Sequence, residues 1–284
     1  MVDIREAAFS EDLSVPLALM HRCFPDAPKY DTEYLNWLYL QNPCGTPIGV
    51  QIFEGGDLKG QVAGIPQNVI LKGVPAKAVL LLDVSVDESL RGKGLFLKGT
   101  LETAKIAKSL GFKAVIGVAN GNTWRGYEKI GFQNVAGLDA EVTLRSSNTF
   151  DATKACALAD LYQDWTGQAL RWRMSNPKNP LRAIAQTEQT LVFEGSTPYP
   201  GLVARGEIPK RTLAIKPSGG AFVRLSLRLA MFPRAAKRGG ELSVRIPDKL
   251  RPSPLRLIYL NLDNEADRLD SNSILFSFLD FDAI

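Results

Sequence analysis

The sequence predicts a mixed α/β (α+β) protein made of two related units, each a mixed sheet flanked by helices. Three observations carry this. The first 145 residues or so alternate helical and strand periodicities in the order helix, helix, three antiparallel strands, helix, strand, helix, strand. A glycine-bearing basic turn, Arg91-Gly92-Lys93-Gly94, joins the most apolar strand to the longest helix. Short pieces of the first half recur in the second in the same order. The expected units are residues 1–145 and 146–284.

Residues 11–24 read as a helix, with Leu13, Leu17 and Met20 at helical spacing, stopped by Pro25, Asp26 and Pro28. Asp31 is placed to cap a second helix carrying Tyr34, Leu35, Trp37 and Leu38, which Asn42-Pro43 ends. From Ile48 the period changes to that of strands. Gly55-Gly56-Asp57 and Lys72-Gly73-Val74 are hairpin turns on either side of a strand that passes Pro66. Residues 78–86 suit a buried central strand. After the basic turn, Leu97, Leu101, Ala104 and Ala107 define one face of a long helix that stops at Gly111. Residues 112–118 form a short buried strand, Asn120-Gly121-Asn122 starts a short helix, and a final strand region runs from Gly131 to about Leu144.

The second half echoes the first. Leu35-Asn36-Trp37 followed by Asn42-Pro43 returns as Leu170-Arg171-Trp172 followed by Asn176-Pro177, and Ile52-Phe53-Glu54-Gly55 returns as Val192-Phe193-Glu194-Gly195. Both point to a duplicated unit, with chance similarity as the competing explanation. No counterpart of Arg91–Gly94 is found in the second half. The corresponding stretch, residues 217–240, is basic and has paired glycines without that pattern.

Composition narrows the function classes. With 45% hydrophobic and 23% charged residues the chain is an ordinary globular one. A net charge of +4, from 34 basic and 30 acidic residues, gives no reason to expect a polynucleotide partner. The most basic stretch, residues 224–245 with Arg228, Arg234, Lys237 and Arg238, reads first as a solvated face. Cys23, Cys44 and Cys156 are odd in number and far apart, which argues against a disulfide framework and a structural zinc site. The start of the chain has no apolar leader pattern, and no apolar run reaches about 18 residues, so a cytoplasmic location without a membrane partner is expected. One histidine, His21, argues against a Ser-His-Asp triad and a histidine-rich metal site, and no metal is expected.

The turn at 91–94 has the chemistry of a phosphate cradle. A helix N-terminus offers unpaired N–H groups and the positive end of the helix dipole. Gly92 and Gly94 allow close approach of backbone, and Arg91 and Lys93 add charge. A plain strand-to-helix connection is the competing explanation. Leu82-Asp83-Val84-Ser85-Val86 leads into this turn, and Asn122, Tyr127, Gly131 and Phe132 follow after the next strand. Together these motifs, over about residues 3–145, resemble the GNAT superfamily of N-acetyltransferases. Arg91 and Gly94 match its phosphate loop, whereas Phe96 stands where the superfamily has a small residue. Neither GxxxxGK[ST] nor GxGxxG is present to support a nucleotide-binding rival.

The resemblance implies acyl transfer from acetyl-coenzyme A or another acyl-coenzyme A directly to an amine. It assigns the pantetheine arm to the backbone of Val84 and Val86. It assigns the pyrophosphate to Arg91, Gly92, Lys93, Gly94, Leu95 and Phe96, with Asn122 and Tyr127 also against the cofactor. Tyr127 is the implied general acid, with a packed aromatic as the bland alternative. Asp83 is either a catalytic group at the cleft or a carboxylate neutralised by a structural partner. Trp37 and Tyr39 are candidate walls of the acceptor pocket, and Trp37 is equally a core residue. Trp-x-Tyr followed by Asn-Pro at residues 37–43, with Arg-Gly-Lys-Gly-Leu-Phe, resembles tandem bacterial members of surface-polysaccharide pathways, some of which acylate the amine of a nucleotide-linked sugar. By that analogy the second unit is degenerate and walls the acceptor cleft, and residues 224–245 meet a substrate diphosphate. The alternatives are an aminoglycoside or polyamine acetyltransferase and a coenzyme A-binding regulator without catalysis. No oligomeric state is implied.

Overall fold

A computed structural model of the chain describes residues 1–9, 12–144, 150–210, 213, 215–218, 224–237 and 242–282. The elements in chain order begin with β1 (Val2–Glu6), α1 (Ser14–Cys23), α2 (Thr32–Leu40), β2 (Ile48–Glu54), β3 (Asp57–Leu71) and β4 (Val74–Val86). They continue with α3 (Leu95–Ser109), β5 (Ala114–Ala119), α4 (Trp124–Lys129), β6 (Gln133–Gly137), β7 (Asp139–Thr143), α5 (Ala152–Leu158) and β8 (Leu161–Gln163). The last are α6 (Gly167–Met174), β9 (Arg182–Gln186), β10 (Thr190–Gly195), β11 (Val203–Pro209), β12 (Ser226–Met231), β13 (Ser243–Arg245), β14 (Arg256–Asn261) and β15 (Ile274–Ser277). The chain divides into two compact units. One comprises Met1–Asn68, Ala76–Asn134 and Ile258–Arg268, the other Val69–Pro75, Val135–Leu257 and Leu269–Ile284.

In the first unit, strands lie in the order β14, β5, β4, β3, β2, β1. β2 and β3 form an antiparallel hairpin through Gly55-Gly56, and β4 and β5 are parallel, connected by α3. Asp31 accepts a 2.9 Å bond from the Tyr34 N–H and starts α2, as expected for an N-cap worth about 1 kcal/mol. The core gathers Val50 and Val62 of the hairpin, Val79 and Leu81 of β4, Val115 of β5, Ile258 and Leu260 of β14, and Ala104 and Ala107 of α3.

The buried face of α3 agrees with the expected one at Ala104 and Ala107 and departs from it at Leu101. Gly99, Thr100, Thr103, Ala104 and Ala107 are buried, whereas Leu101 is 36% exposed. Close packing on the hairpin selects small residues here. A Cβ on Gly99 would stand 3.0 Å from Val62 Cγ2 and 3.3 Å from Val50 Cγ2. Other expectations are also corrected. α1 begins at Ser14 and not at residue 11, Val2–Glu6 is a strand that the periodicity did not reveal, and the strand region after Gly131 is two strands interrupted at Leu138.

In the second unit, strands follow the order β8, β15, β12, β11, β10, β9, and β7 also pairs β12 and β13. β8 and β15 are parallel, and β9–β10–β11 is antiparallel. The echoed segments fall on α6 and β10. Asn42 and Asn176 make the same turn, with Oδ1 accepting from the N–H two residues on, at 3.0 Å from Cys44 and 2.9 Å from Lys178. The stretch 217–240 includes residues outside those described, among them both glycine pairs.

Arg173 of α6 locks the end of the chain. It donates from Nε to Leu279 O (2.8 Å) and from Nη2 to Phe281 O (3.1 Å), and its Nη1 pairs with Asp282 at 3.2 Å. Asp280 is buried in that turn and accepts a 2.6 Å bond from the Ser277 N–H. Burial raises its pKa to about 7, against the lowering by the Ser277 bonds and by Arg173. The protonated carboxyl is thus favoured in the folded state over the unfolded value of about 3.9. Its stabilising contribution is full below pH 4 or so and is lost as pH rises to about 7. Asp280→Asn should therefore gain stability relative to the parent as pH rises from about 4 to 7, as read from urea unfolding at each pH. A pH-independent difference would contradict the buried neutral acid.

Candidate active site

The turn after β4 is shaped by two left-handed glycines, Gly92 at φ 78° and Gly94 at φ 70°. A side chain at either position would carry strain and meet nothing within 4 Å. Gly94 is the N-cap of α3, no side chain caps this end, and the first turn holds no acid. The leading N–H groups of a 15-residue helix are therefore left for another partner. Arg91 and Lys93 are exposed beside them, and Arg91 Nε donates to Val86 O at 3.4 Å. Leu95 is buried, and Phe96 is half-buried. Asp87 sets the approach to this turn. Its Oδ1 accepts from Ser89 N (3.1 Å) and Oγ (2.8 Å), bonds that hold its carboxyl below the usual range, and Arg22 Nε pairs with its Oδ2 at 3.2 Å. Glu88 is exposed.

β4 leaves β5 just before the turn. Their ladder runs from Ala78↔Ala114 to Leu81↔Gly117, while β4 continues to Val86. Asp83 follows the last pair with φ 49°, a left-handed conformation that a non-glycine residue rarely adopts. Its carboxylate is buried and held by two tyrosines. Oδ1 accepts from Tyr30 Oη at 2.9 Å, and Oδ2 accepts from Tyr39 Oη at 2.9 Å. Gln61 Nε2 donates to Tyr39 Oη at 2.8 Å. Val84 instead packs toward the core that contains Tyr127 and Phe96, and Val86 toward Ile52, Leu90 and Leu95.

The two candidate pocket residues are interior. Trp37 is 3% exposed and packs on Tyr34, with ring centroids 5.7 Å apart. Tyr39 is 1% exposed, and burial together with the neighbouring Asp83 raises its pKa well above the ordinary phenol value. His21 donates from Nε2 to Tyr30 O at 2.9 Å, which ties α1 to the same tyrosine.

Tyr127 lies on α4 inside the core, edge-on to Phe96 (5.6 Å) and Phe132 (5.4 Å). Burial raises its pKa, and a hydrogen bond with Thr100 opposes the rise. Phe96 reaches this position because residue 126 is glycine. A Cβ there would be 2.7 Å from Phe96 Cζ. The bulky residue at 96 is thus turned onto α4. Asn122 is exposed, and Asn120 organises the start of α4, with Oδ1 accepting from the N–H groups of Asn122 (3.0 Å) and Thr123 (3.1 Å). Asn120 thereby starts the short helix, as the sequence predicts.

The structure brings Asp83, Val84, Val86 and residues 91–96 together along one strand, turn and helix. Among the described residues, no group of three His, Cys, Asp or Glu side chains could hold a metal ion, and no helix is long and apolar enough to cross a membrane. The basic residues of 224–245 are largely spoken for within the second unit. Arg228 pairs with Glu141, Lys237 with Asp139 (3.4 Å), Arg245 with Asp139 (3.1 Å) and Arg224 with Glu194 (3.8 Å). Arg238 lies outside the described residues.

No family model and no curated protein matches the sequence. Solved structures do match in shape. A protein of Enterococcus faecalis described as a probable N-acyltransferase is 10% identical, with a TM-score of 0.60, covering 93% of this chain and 73% of its own. GCN5-related N-acetyltransferases of Anabaena variabilis (12% identity, TM-score 0.59, 92% and 73% covered) and Kribbella flavida (13%, 0.58, 92% and 72%) are similar. The chain has the fold of GCN5-related N-acetyltransferases.

Two outcomes are expected. Tyr39→Phe should cost about 1–3 kcal/mol in urea unfolding, because it strips one donor from the buried Asp83 carboxylate and one acceptor from Gln61. A cost under about 0.5 kcal/mol would mean that water replaces the phenol. Gly126→Ala should destabilise through overpacking against Phe96, and Phe96→Leu should relieve it, giving a coupling of at least about 0.5 kcal/mol in a double-mutant cycle. Additive effects would show that the two side chains do not compete for space.

Proposed function

We propose that the chain is an acyl-coenzyme A-dependent N-acyltransferase acting on a small amine. The observation that carries this reading is the uncapped N-terminus of α3, entered through left-handed Gly92 and Gly94 directly after β4 has parted from β5. Peptide dipoles, Arg91 and Lys93 suit a pyrophosphate, and the unpaired edge of β4 at Val84 and Val86 suits an amide-bearing arm. Phe96, turned onto Gly126, supports rather than opposes this. Acyl-coenzyme A, when bound, supplies an activated acyl carbonyl for attack by the amine.

The chain's own groups then have defined tasks. Burial keeps Tyr127 protonated through the neutral range. Because a thiol's reference pKa of about 8.5 lies below that of the phenol, Tyr127 Oη is suited to donate a hydrogen bond to a leaving sulfur without surrendering its proton. The proton that sulfur finally takes is the one the amine loses. Asp83, with both oxygens bonded to tyrosines, positions β4 and the α1–α2 segment. Tyr30, Trp37 and Tyr39 support the acceptor side from within.

A narrower proposal is that the acceptor is the amine of a nucleotide-linked sugar of surface-polysaccharide biosynthesis in the cytoplasm, with a degenerate second unit of the same ancestry contributing to acceptor binding. The Trp37-x-Tyr39…Asn42-Pro43 pattern and the echo at 170–177 support it. The arginines proposed for a diphosphate do not, since they already face carboxylates.

Calorimetric titration with coenzyme A should show one site per chain. Gly94→Val should weaken it at least about tenfold, near 1.4 kcal/mol, and should also lower unfolding stability because φ 70° strains a β-branched residue, so affinity is compared at a temperature where both proteins are folded. Thiol release from acetyl- and longer acyl-coenzymes A with a panel of amines should show turnover, and Tyr127→Phe should lower kcat on the order of a hundredfold with little change in coenzyme A affinity. Failure of the parent protein to bind coenzyme A would end this reading. Binding without turnover on any amine would instead identify a non-catalytic binder.

A further inference from the structure

The second unit contains a cavity of about 630 Å³, and its walls have one chemical character. Its floor is one face of the β7–β12 pair. Leu227 and Leu229 of β12 stand there half-buried, in register with Val142 and Ala140 of β7. The neighbours of Leu227 and Leu229 on β12, namely Ser226, the ion-paired Arg228 and Ala230, are buried on the opposite face, so the two leucines face the cavity alone. Ile246 and the 250–255 segment form one wall, and residues 198–202 another. At the mouth, Leu250 is 69% and Tyr199 48% exposed.

Arg251 is the only charged side chain among the described lining residues, and it is used up in holding the wall. Its Nη1 donates to Leu138 O (2.8 Å), Nε and Nη2 both donate to Ile246 O (3.0 and 2.7 Å), and Asp248 balances its charge at 3.2 Å. The side chain is 8% exposed. A ligand carboxylate or phosphate would have to break these bonds, and an ammonium group would meet a cation with no acid among the described lining residues. The volume falls in the range of about 300–1,000 Å³ that encloses one small molecule. Large aliphatic side chains left half-exposed around a concavity gain by losing water to an apolar occupant.

We propose that this cavity is a binding site for an uncharged apolar small molecule, a single aliphatic or aryl chain without an ionised head. Its described lining residues all belong to the second unit, and the proposal does not depend on acyl transfer. A guanidinium-clamped wall makes it a preformed pocket, so binding selects by the charge of the ligand and by the filled volume.

The test uses the full-length protein and the uncharged fluorophore N-phenyl-1-naphthylamine, with decan-1-ol, decanoate and decylammonium as competitors at pH 7. Saturable binding at one probe per chain is expected, with decan-1-ol displacing it at a concentration at least about tenfold lower than either charged chain. Leu227→Trp, which fills the floor, should weaken probe binding at least tenfold. Leu250→Asp, a change at an exposed position that leaves folding intact, should do the same. Leu110→Asp, at a 57% exposed leucine after α3, should leave binding unaltered. Saturating coenzyme A should not displace the probe. The proposal is overturned if binding is unsaturable, if both Leu227→Trp and Leu250→Asp bind as the parent does, if coenzyme A competes, if charged chains compete equally, or if sedimentation shows that a second copy of the chain occupies the pocket.

Discussion

The Asp83 carboxylate, clasped by Tyr30 and Tyr39, is the constraint on which the first unit's site depends. A left-handed aspartate inside a strand costs on the order of 1–3 kcal/mol, and a buried carboxylate costs more unless it is bonded. Two phenols supply hydrogen bonds to the buried carboxyl, and these bonds work against both costs. The same bonds fasten the segment between α1 and α2, and α2 itself, to the point where β4 parts from β5. His21 and Gln61 then hold the two tyrosines in turn. The strand opening and the helices over it are therefore one mechanical object, assembled around a single buried carboxyl group.

Beyond Asp83 the geometry is set by size. Small side chains on α3 let it lie close on the β2–β3 hairpin, with Gly99 against Val50 and Val62. That packing aims the N-terminal end of α3 at the turn after β4. The same economy of space recurs between α3 and α4, where the absence of a side chain at 126 admits the ring of Phe96 and brings it against Tyr127. A bulky residue where a small one is expected has been matched by a small one across the interface.

What could be read in the sequence was local. Asp31 as a cap, the hairpin at Gly55-Gly56 and the left-handed turn at Gly92 and Gly94 follow from short-range chemistry, and the structure has all of them. What could not be read was decided by distant partners. Asp83 was legible as a buried acid needing a counterpart, but Tyr30 and Tyr39 lie 53 and 44 residues away, and Tyr39 read instead as a pocket wall. Leu101 looked like a core residue because its spacing was right, yet the hairpin accepts only small side chains on that face of α3. The basic run at 224–245 looked available until its carboxylate partners on β7 and β10 were seen. Residues 1–9 carry too few positions to reveal the period of β1.

The position of β14 has a consequence for biogenesis. The strand that flanks β5 is drawn from residues 258–261, more than a hundred residues after the rest of that sheet has left the ribosome. Until it arrives, Gly117 and its neighbours lack the Ile258 side chain that covers them, and β5 presents an open edge to other nascent chains. Synthesis and folding of the first unit are thus out of step: its last strand is made only after most of the second unit. A stalled or prematurely terminated product would carry the turn at Gly92 and Gly94 on an unfinished sheet, a species for chaperones and proteases.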